Sequence, residues 1–462
     1  MIPYERMLFH FNGQSAPRCC YLLNGVNPAR KAYFPLRFFI DLLHHRTPQE
    51  YQMSYRIFNY PQGKTNALII KSAKDKYMWD IHGKKYLDFY LGAGSQIYGH
   101  SNEPIVEAIE KQLSEGLLFA GENDQIHKLG SQLENILPDF LQNYVFCSTG
   151  TEATARALRY ARLSTGKDRI ACFKGGWHGM NEWTLLDDGG RGFNFSRSEN
   201  TLGIPSSLSN SILQLEFNCD LDLQYLEENA DSLAAVIVEP VPGSCPVIRL
   251  DYLKRLESIC KKYEVLIIYD EIITGFRLAA GGMTELYGLK PDLVTYGKIL
   301  GGGLPIGLVA MNDKVAESTF GCNTKSALAG GTFSANPLVA VAACKVLELL
   351  LDSDYSRINA QGDLIRSALN TFFSSTKLPL SMIGVGSISR LLYTNKAVKN
   401  RGERDAAEFE VGIQRKIISN FYNRGIYWPP SGIIFNSFCH EDLDITLFIE
   451  SISNPANYEG IS

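Results

Sequence analysis

The chain has 462 residues, 45% of them hydrophobic, enough for one large α/β domain and a smaller one, each with its own core. A formal net charge of −4, with both signs interspersed, leaves no basic face for nucleic acid and none for an anionic membrane, so the expected partner is a small molecule. The ten cysteines are dispersed, without a C-x-x-C pair or the Cys/His spacing of a zinc site, which reads as free thiols in a reducing compartment and no bound metal.

In chain order, the N-terminus from Met1 to Arg6 carries an acid and lacks an apolar stretch closed by a small-residue cleavage site. Apolar runs elsewhere stop short of the about 18 residues that a membrane span needs, so a cytoplasmic location is expected. Residues 38–66, rich in His, Gln, Tyr and Asn, show no period. Tyr77 to Asp88 reads as a hairpin turning at His82-Gly83. Between residues 143 and 310, short apolar runs alternate with helical stretches, the pattern of a largely parallel sheet. The expected strands are 144–147, 169–173, 235–238, 265–269 and 293–296, apolar throughout as suits strands covered on both faces. Helices are expected over 151–163, over 337–351 with Pro337 in the first turn, and over 406–423 with Gly425 as a C-cap. This organisation assigns residues 1–100 to an N-terminal segment and part of a small domain, 101–352 to a large domain and 353–462 to a C-terminal small domain.

In an open parallel sheet, ligands bind beyond the carboxyl ends of the strands, and four such ends here are chemically unusual. One carries Asp270-Glu271, another Gly297-Lys298 followed by Gly301-Gly302-Gly303, a third Ser148-Thr149-Gly150-Thr151-Glu152, and the fourth Gly175-Gly176-Trp177-His178-Gly179. Taken singly, each has an ordinary account: a helix cap, a surface lysine, a helix start, a core tryptophan, a structural histidine. Together they match the needs of pyridoxal 5′-phosphate. Its aldehyde requires a lysine amine for a Schiff base, and its ring nitrogen requires a carboxylate. Its phosphate suits the free N–H groups of a helix start at Gly150-Thr151, and its ring needs a flat partner such as Trp177.

The stretches Ser148-Thr149-Gly150-Thr151-Glu152-Ala153, Asp270-Glu271-Ile272-Ile273-Thr274-Gly275-Phe276-Arg277, Gly297-Lys298-Ile299-Leu300-Gly301-Gly302-Gly303-Leu304-Pro305 and Gly331-Thr332-Phe333-Ser334-Ala335-Asn336-Pro337 carry a resemblance to the class III aminotransferases. It spans roughly residues 70 to 455 and is strongest to the glutamate-1-semialdehyde 2,1-aminomutase branch. The resemblance implies the type I pyridoxal-phosphate transferase fold, with a seven-stranded sheet in a large domain beside a smaller α+β domain. It makes Lys298 the Schiff-base lysine and Asp270 the partner of the ring nitrogen. Thr149, Gly150, Thr151, Trp177, His178, Glu239 and Ile272 are then expected around the cofactor, with Ile272 on the ring face opposite Trp177. Thr332 is expected to reach the phosphate of a neighbouring subunit, which implies a homodimer. Gly25 to Arg30 resembles a segment that contacts substrate, so Arg30 is a candidate carboxylate ligand, and Ser95 is a second substrate candidate.

The chain departs from the branch at several points. Ala93 stands where the branch has a tryptophan, Asp187 to Arg191 replaces its small-residue loop, and Ser431 to Phe435 is a shortened form of a stretch that lacks the branch's glutamate. The altered loop from Asp187 to Arg191 favours transfer of an amino group between an amino donor and a small carbonyl substrate, with intramolecular transfer as the alternative. From a different class, a non-catalytic or nucleotide-binding α/β protein is the rival. Neither G-x-G-x-x-G between a strand and a helix nor G-x-x-x-x-G-K-[ST] occurs.

Overall fold

The computed structural model describes residues 68–185, 203–205, 208, 211–321, 327–408 and 411–460. The first described strands, β1 (Ile70–Lys74), β2 (Tyr77–Asp80) and β3 (Lys85–Asp88), form an antiparallel meander. Its β2–β3 turn is closed by Asp80, whose Oδ1 accepts from the backbone N–H of His82 and of Lys84, both at 2.9 Å, while Gly83 takes φ +79°.

The apolar runs of the middle of the chain become a seven-stranded sheet built from β4 (Asn143–Cys147), β5 (Arg169–Phe173), β6 (Ile212–Leu215), β7 (Leu233–Val238), β8 (Leu266–Asp270), β9 (Leu293–Gly297) and β10 (Gly307–Met311). Their order is β4-β10-β9-β8-β7-β5-β6, and only β10 runs antiparallel to its neighbours. β7, β8, β9 and β10 are buried along their whole length, so their uniform apolarity is the signature of cover on both faces. β6 and β10 were not among the expected strands. In β10 the start follows a glycine turn, and Gly307 is required there because a Cβ would collide with the Thr149 carbonyl.

Helix α1 (Gly150–Thr165) follows β4, capped by Thr149 at one end and by left-handed Gly166 (φ 69°) at the other. Helix α2 (Pro337–Leu351) has Asn336 as its N-cap and Pro337 in its first turn, as the sequence indicates. Helix α3 (Tyr355–Ser375) leads to a second sheet of order β11-β12-β14, formed by β11 (Ser381–Val385), β12 (Ile388–Leu392) and β14 (Ile433–Phe435). The helix expected over 406–423 is instead two, α4 (Arg401–Ala407) and α5 (Val411–Asn423). Glu408 leaves helical geometry at ψ 142° because its carboxylate is spent on the buried end of β12, accepting from the N–H of Tyr393 at 3.2 Å and facing Arg404.

After β13 (Ile426–Tyr427), which pairs parallel with β3, come helix α6 (Asp442–Ile452) and a short 3-10 turn over Pro455–Tyr458. Phe89, Phe373, Phe421, Trp428, Phe435 and Phe448 are all nearly or fully buried in this half of the molecule or against the large sheet. The described cysteines are free thiols, and no described helix is long and apolar enough to cross a membrane.

Candidate active site

Asp270 ends β8 as a buried carboxylate, 3% exposed, and therefore needs donors. It has three. Oδ1 accepts from Thr295 Oγ1 at 3.0 Å and from the N–H of Ile272 at 3.1 Å, and Oδ2 lies 2.7 Å from His178 Nδ1. Thr295 is its register partner on β9, so the sheet itself supplies one donor. Thr295 was not anticipated; its signal is a hydroxyl inside an otherwise apolar strand, two residues before Gly297-Lys298.

His178 belongs to a loop fastened on two sides. Its carbonyl accepts from Thr154 Oγ1 on α1 at 2.6 Å and from Asn181 Nδ2 at 3.1 Å. The N–H of Trp177 donates to Glu239 Oε2, just beyond β7, at 3.1 Å. Glu239 is thus a buried holder of the Trp177 backbone. The N–H of Met180 donates to Thr151 Oγ1 at 3.1 Å, and Gly179 (φ 82°) crosses α1 so closely that a Cβ there would strike Thr151.

Lys298 follows β9 directly and sits half-buried in the left-handed region, φ 43°, which is uncommon for a residue with a side chain. Ile272 ties it to the helix start: its Cδ1 lies 3.0 Å from where a Cβ on Gly150 would stand and 3.1 Å from one on Gly297. At that start, Thr149 Oγ1 accepts from the N–H of Glu152 at 3.1 Å, and Glu152 reaches back to the N–H of Ser148 at 3.0 Å. The N–H groups of Gly150 and Thr151 have no partner within their own helix, and with the positive end of a 16-residue helix they suit an anion.

Ser95 closes a turn in which Leu91, Gly92, Ala93 and Gly94 all have positive φ, 47°, 62°, 60° and 82°. The turn is pinned by Asp88 Oδ1, which accepts from the N–H of Tyr90 at 2.7 Å, and by Arg277 Nη2, which donates to the Gly94 carbonyl at 2.6 Å. Ser95 Oγ is spent on the Gly92 carbonyl at 2.9 Å. The next residue, Gln96, lies against Gly303, where a Cβ would come 2.5 Å from Gln96 Nε2, so this turn abuts the glycines that follow Lys298. Thr332 stands apart, exposed in a loop steadied by Arg156 Nη2 of α1, which donates to the Gly330 carbonyl at 2.8 Å. Arg30, the 38–66 stretch and Asp187 to Arg191 lie outside the described residues.

The structure thus gathers Thr149, Gly150, Thr151, His178, Asp270, Ile272 and Lys298 at one edge of the sheet, with Trp177 and Glu239 beside them. A buried carboxylate with three hydrogen-bond partners, an amine on strained backbone, a helix start and glycines that admit close approach fit pyridoxal phosphate.

The model of the family "Aminotransferase class-III" matches residues 59–454. A glutamate-1-semialdehyde 2,1-aminomutase of Thermus thermophilus is 34% identical over 81% of this chain and 89% of its own length. One from Methanosphaera stadtmanae is 32% identical over 92% and 94%. Among solved structures, an omega-transaminase from Sphaerobacter thermophilus superposes with a TM-score of 0.76 at 26% identity, over 84% of this chain and 90% of that one. The chain belongs to the class III aminotransferases, enzymes of the type I fold whose cofactor is pyridoxal 5′-phosphate.

Proposed function

We propose that this enzyme moves an amino group within one molecule, as an aminomutase of the glutamate-1-semialdehyde kind. The observation that carries the reading is similarity to enzymes of that name over about nine-tenths of their length, 89% for the Thermus thermophilus protein. Bound pyridoxal phosphate supplies a carbonyl that condenses with amines and a protonated ring that accepts electron density. Asp270, braced by Thr295 and His178, would hold the proton on the ring nitrogen. The helix start at Thr149, Gly150 and Thr151 would hold the phosphate, and Trp177 and Ile272 would pack against the ring. Lys298 would hold the cofactor, and its amine, when free, would carry the proton to and from the reacting carbon.

Transfer between two molecules is the second reading, favoured by the Asp187 to Arg191 stretch that replaces the branch's small-residue loop; Ala93 and the shortened Ser431 to Phe435 stretch are further departures. Gly94, next to Ala93, packs on Phe435, where a Cβ would lie 3.1 Å from the ring, so these two stretches touch. The discriminating experiment supplies glutamate-1-semialdehyde alone to the holoenzyme and follows isomerisation with a labelled amino nitrogen. Retention of the label without an added donor is expected. Conversion only when a separate amino donor and carbonyl acceptor are supplied would give the function to the second reading.

A further inference from the structure

Arg277 ends the segment that begins at Asp270, and the backbone between them is fixed from within. Glu271, fully buried, accepts from Thr274 Oγ1 at 2.9 Å and from the N–H groups of Met283 and Thr284 at 2.7 and 2.8 Å. The N–H of Gly275 donates to the Glu271 carbonyl at 2.8 Å, and that of Arg277 to the Thr274 carbonyl at 3.2 Å. The Arg277 side chain is itself fully buried, yet no carboxylate among the described residues pairs with it. Nη1 donates to the Asn436 carbonyl at 3.0 Å, Nη2 to the Gly94 carbonyl at 2.6 Å, and the guanidinium lies 4.8 Å from the centre of the Phe435 ring. Nε has no partner among the described residues. A buried cation served only by carbonyls and a ring face is a cost to stability, so what it contributes is the geometry that it holds.

Both prongs of this fork fall on stretches where the chain departs from the aminomutase branch. Gly94 follows Ala93 in the turn of positive φ, and Leu91 and Ala93, which carry side chains, take φ 47° and 60° there. Such conformations persist only where the surroundings over-determine them. Asp88 supplies one constraint, its Oδ1 accepting from the N–H of Leu91 at 3.1 Å as well as from Tyr90, and Arg277 supplies the other. Asn436 follows the shortened Ser431 to Phe435 stretch, and its own N–H is spent on the Ser387 carbonyl at 2.9 Å. Each stretch also reaches the residues around the cofactor site. Gln96 lies against Gly303, beyond Lys298, while Ile433 Cδ1 and Glu239 Oε1 both approach Gly243, 3.7 and 3.8 Å from where its Cβ would stand. Glu239 is the residue that holds Trp177.

We propose that Arg277 is a positioning residue: it locks the turn at Ala93 and the strand end at Phe435 into one wall of the substrate pocket and ties that wall to the segment carrying Asp270. A planar guanidinium holds two carbonyls at a fixed separation, which a flexible lysine ammonium does not. The small Ala93 and the short Ser431 to Phe435 stretch leave a wall with little bulk of its own, so its place is set from behind, by the fork. The proposal rests on the amino-transfer reading for what the wall sorts, though its test requires no turnover.

The probes are O-methylhydroxylamine and O-benzylhydroxylamine, added to holoenzyme of the wild type, Arg277→Lys and Arg277→Met. The reagent's nitrogen forms a double bond to the cofactor carbon as the bond to Lys298 breaks, and its two protons pass to the lysine amine. Loss of the visible band therefore measures access to that carbon without catalysis. The ratio of the small reagent's rate to the large one's is expected to fall about 10-fold in Arg277→Met and about 3-fold in Arg277→Lys, as the wall gives way to the larger group. A second readout is amide hydrogen exchange in the apoproteins: residues 89–98 and 433–438 should exchange faster in Arg277→Met, while 266–272 keep the wild-type rate. Equal acceleration of both reagents, or a lower melting temperature with an unchanged ratio and a uniform rise in exchange, would reduce Arg277 to a structural residue and overturn the proposal. The expected ratios in an enzyme inert toward every amine and semialdehyde would instead retire the amino-transfer reading and leave the wall standing. Should Arg277→Met fail to fold, the ratio in Arg277→Lys decides in the same way.

Discussion

Asp270 and its donors set expectations for single substitutions. In Asp270→Asn the side chain can still accept from Thr295, but no anion remains to hold a proton on the ring nitrogen. The half-reaction is expected to slow by at least about 100-fold with cofactor still bound, measured by stopped-flow absorbance. An unchanged rate would remove Asp270 from the chemistry. In Thr295→Val one donor to Oδ1 is lost from a buried carboxylate, at a cost of about 1–3 kcal/mol in urea unfolding. Asp270 and Lys298 were legible because their residue types recur at strand ends in a chemically meaningful set. Thr295 was not: its importance comes from the register opposite Asp270, which is not a pattern along the chain.

Among the elements, those with a strong local code were read well. Thr149 before the alanine-rich run and Asn336-Pro337 before the apolar run mark helix starts with named side-chain caps. Asn336→Ala should cost about 1 kcal/mol by loss of the bond to the N–H of Val339, read in thermal unfolding. The break between α4 and α5 was missed because Phe409, Ile413 and Ile417 keep helical spacing across it, while the cause lies elsewhere in the fold, in the need of Arg404 and Tyr393 for the Glu408 carboxylate. Glu408→Ala is therefore expected to destabilise by about 3 kcal/mol, since it leaves buried guanidiniums with less counter-charge. A loss below about 0.5 kcal/mol in urea unfolding would show that Asp405 alone neutralises them.

For the whole molecule, the βα alternation revealed the sheet's class, but the antiparallel β10 and its place between β4 and β9 depend on pairing across the sheet. His440 joins distant parts of the chain: it stacks on Phe89 at 4.0 Å, and its Nε2 lies 3.1 Å from the Asp88 carbonyl. Burial pulls its imidazole down to about 4 from 6.5, so the unfolded chain binds the proton more readily than the folded one. The stability that this contributes is present above about pH 6.5 and is lost as pH falls toward 4, an upper bound of roughly 3 kcal/mol. Chemical denaturation across that window should show the slope in the wild type and a smaller one in His440→Gln. A further expectation concerns a second copy of the chain. We propose that exposed Thr332, flanked by exposed Phe333 and Leu328, reaches the phosphate in a partner's site. Thr332→Ala should then raise the Kd for the cofactor and make that Kd independent of protein concentration.

The claim on which the rest depends is that Lys298 holds pyridoxal phosphate at this sheet edge. The most direct measurement is the absorbance spectrum of the purified protein with the cofactor, beside Lys298→Ala. A band near roughly 420 nm in the wild type, absent from the variant and converted on adding a reactive amine, is expected. A band of equal strength in both proteins, or in neither, would contradict the assignment.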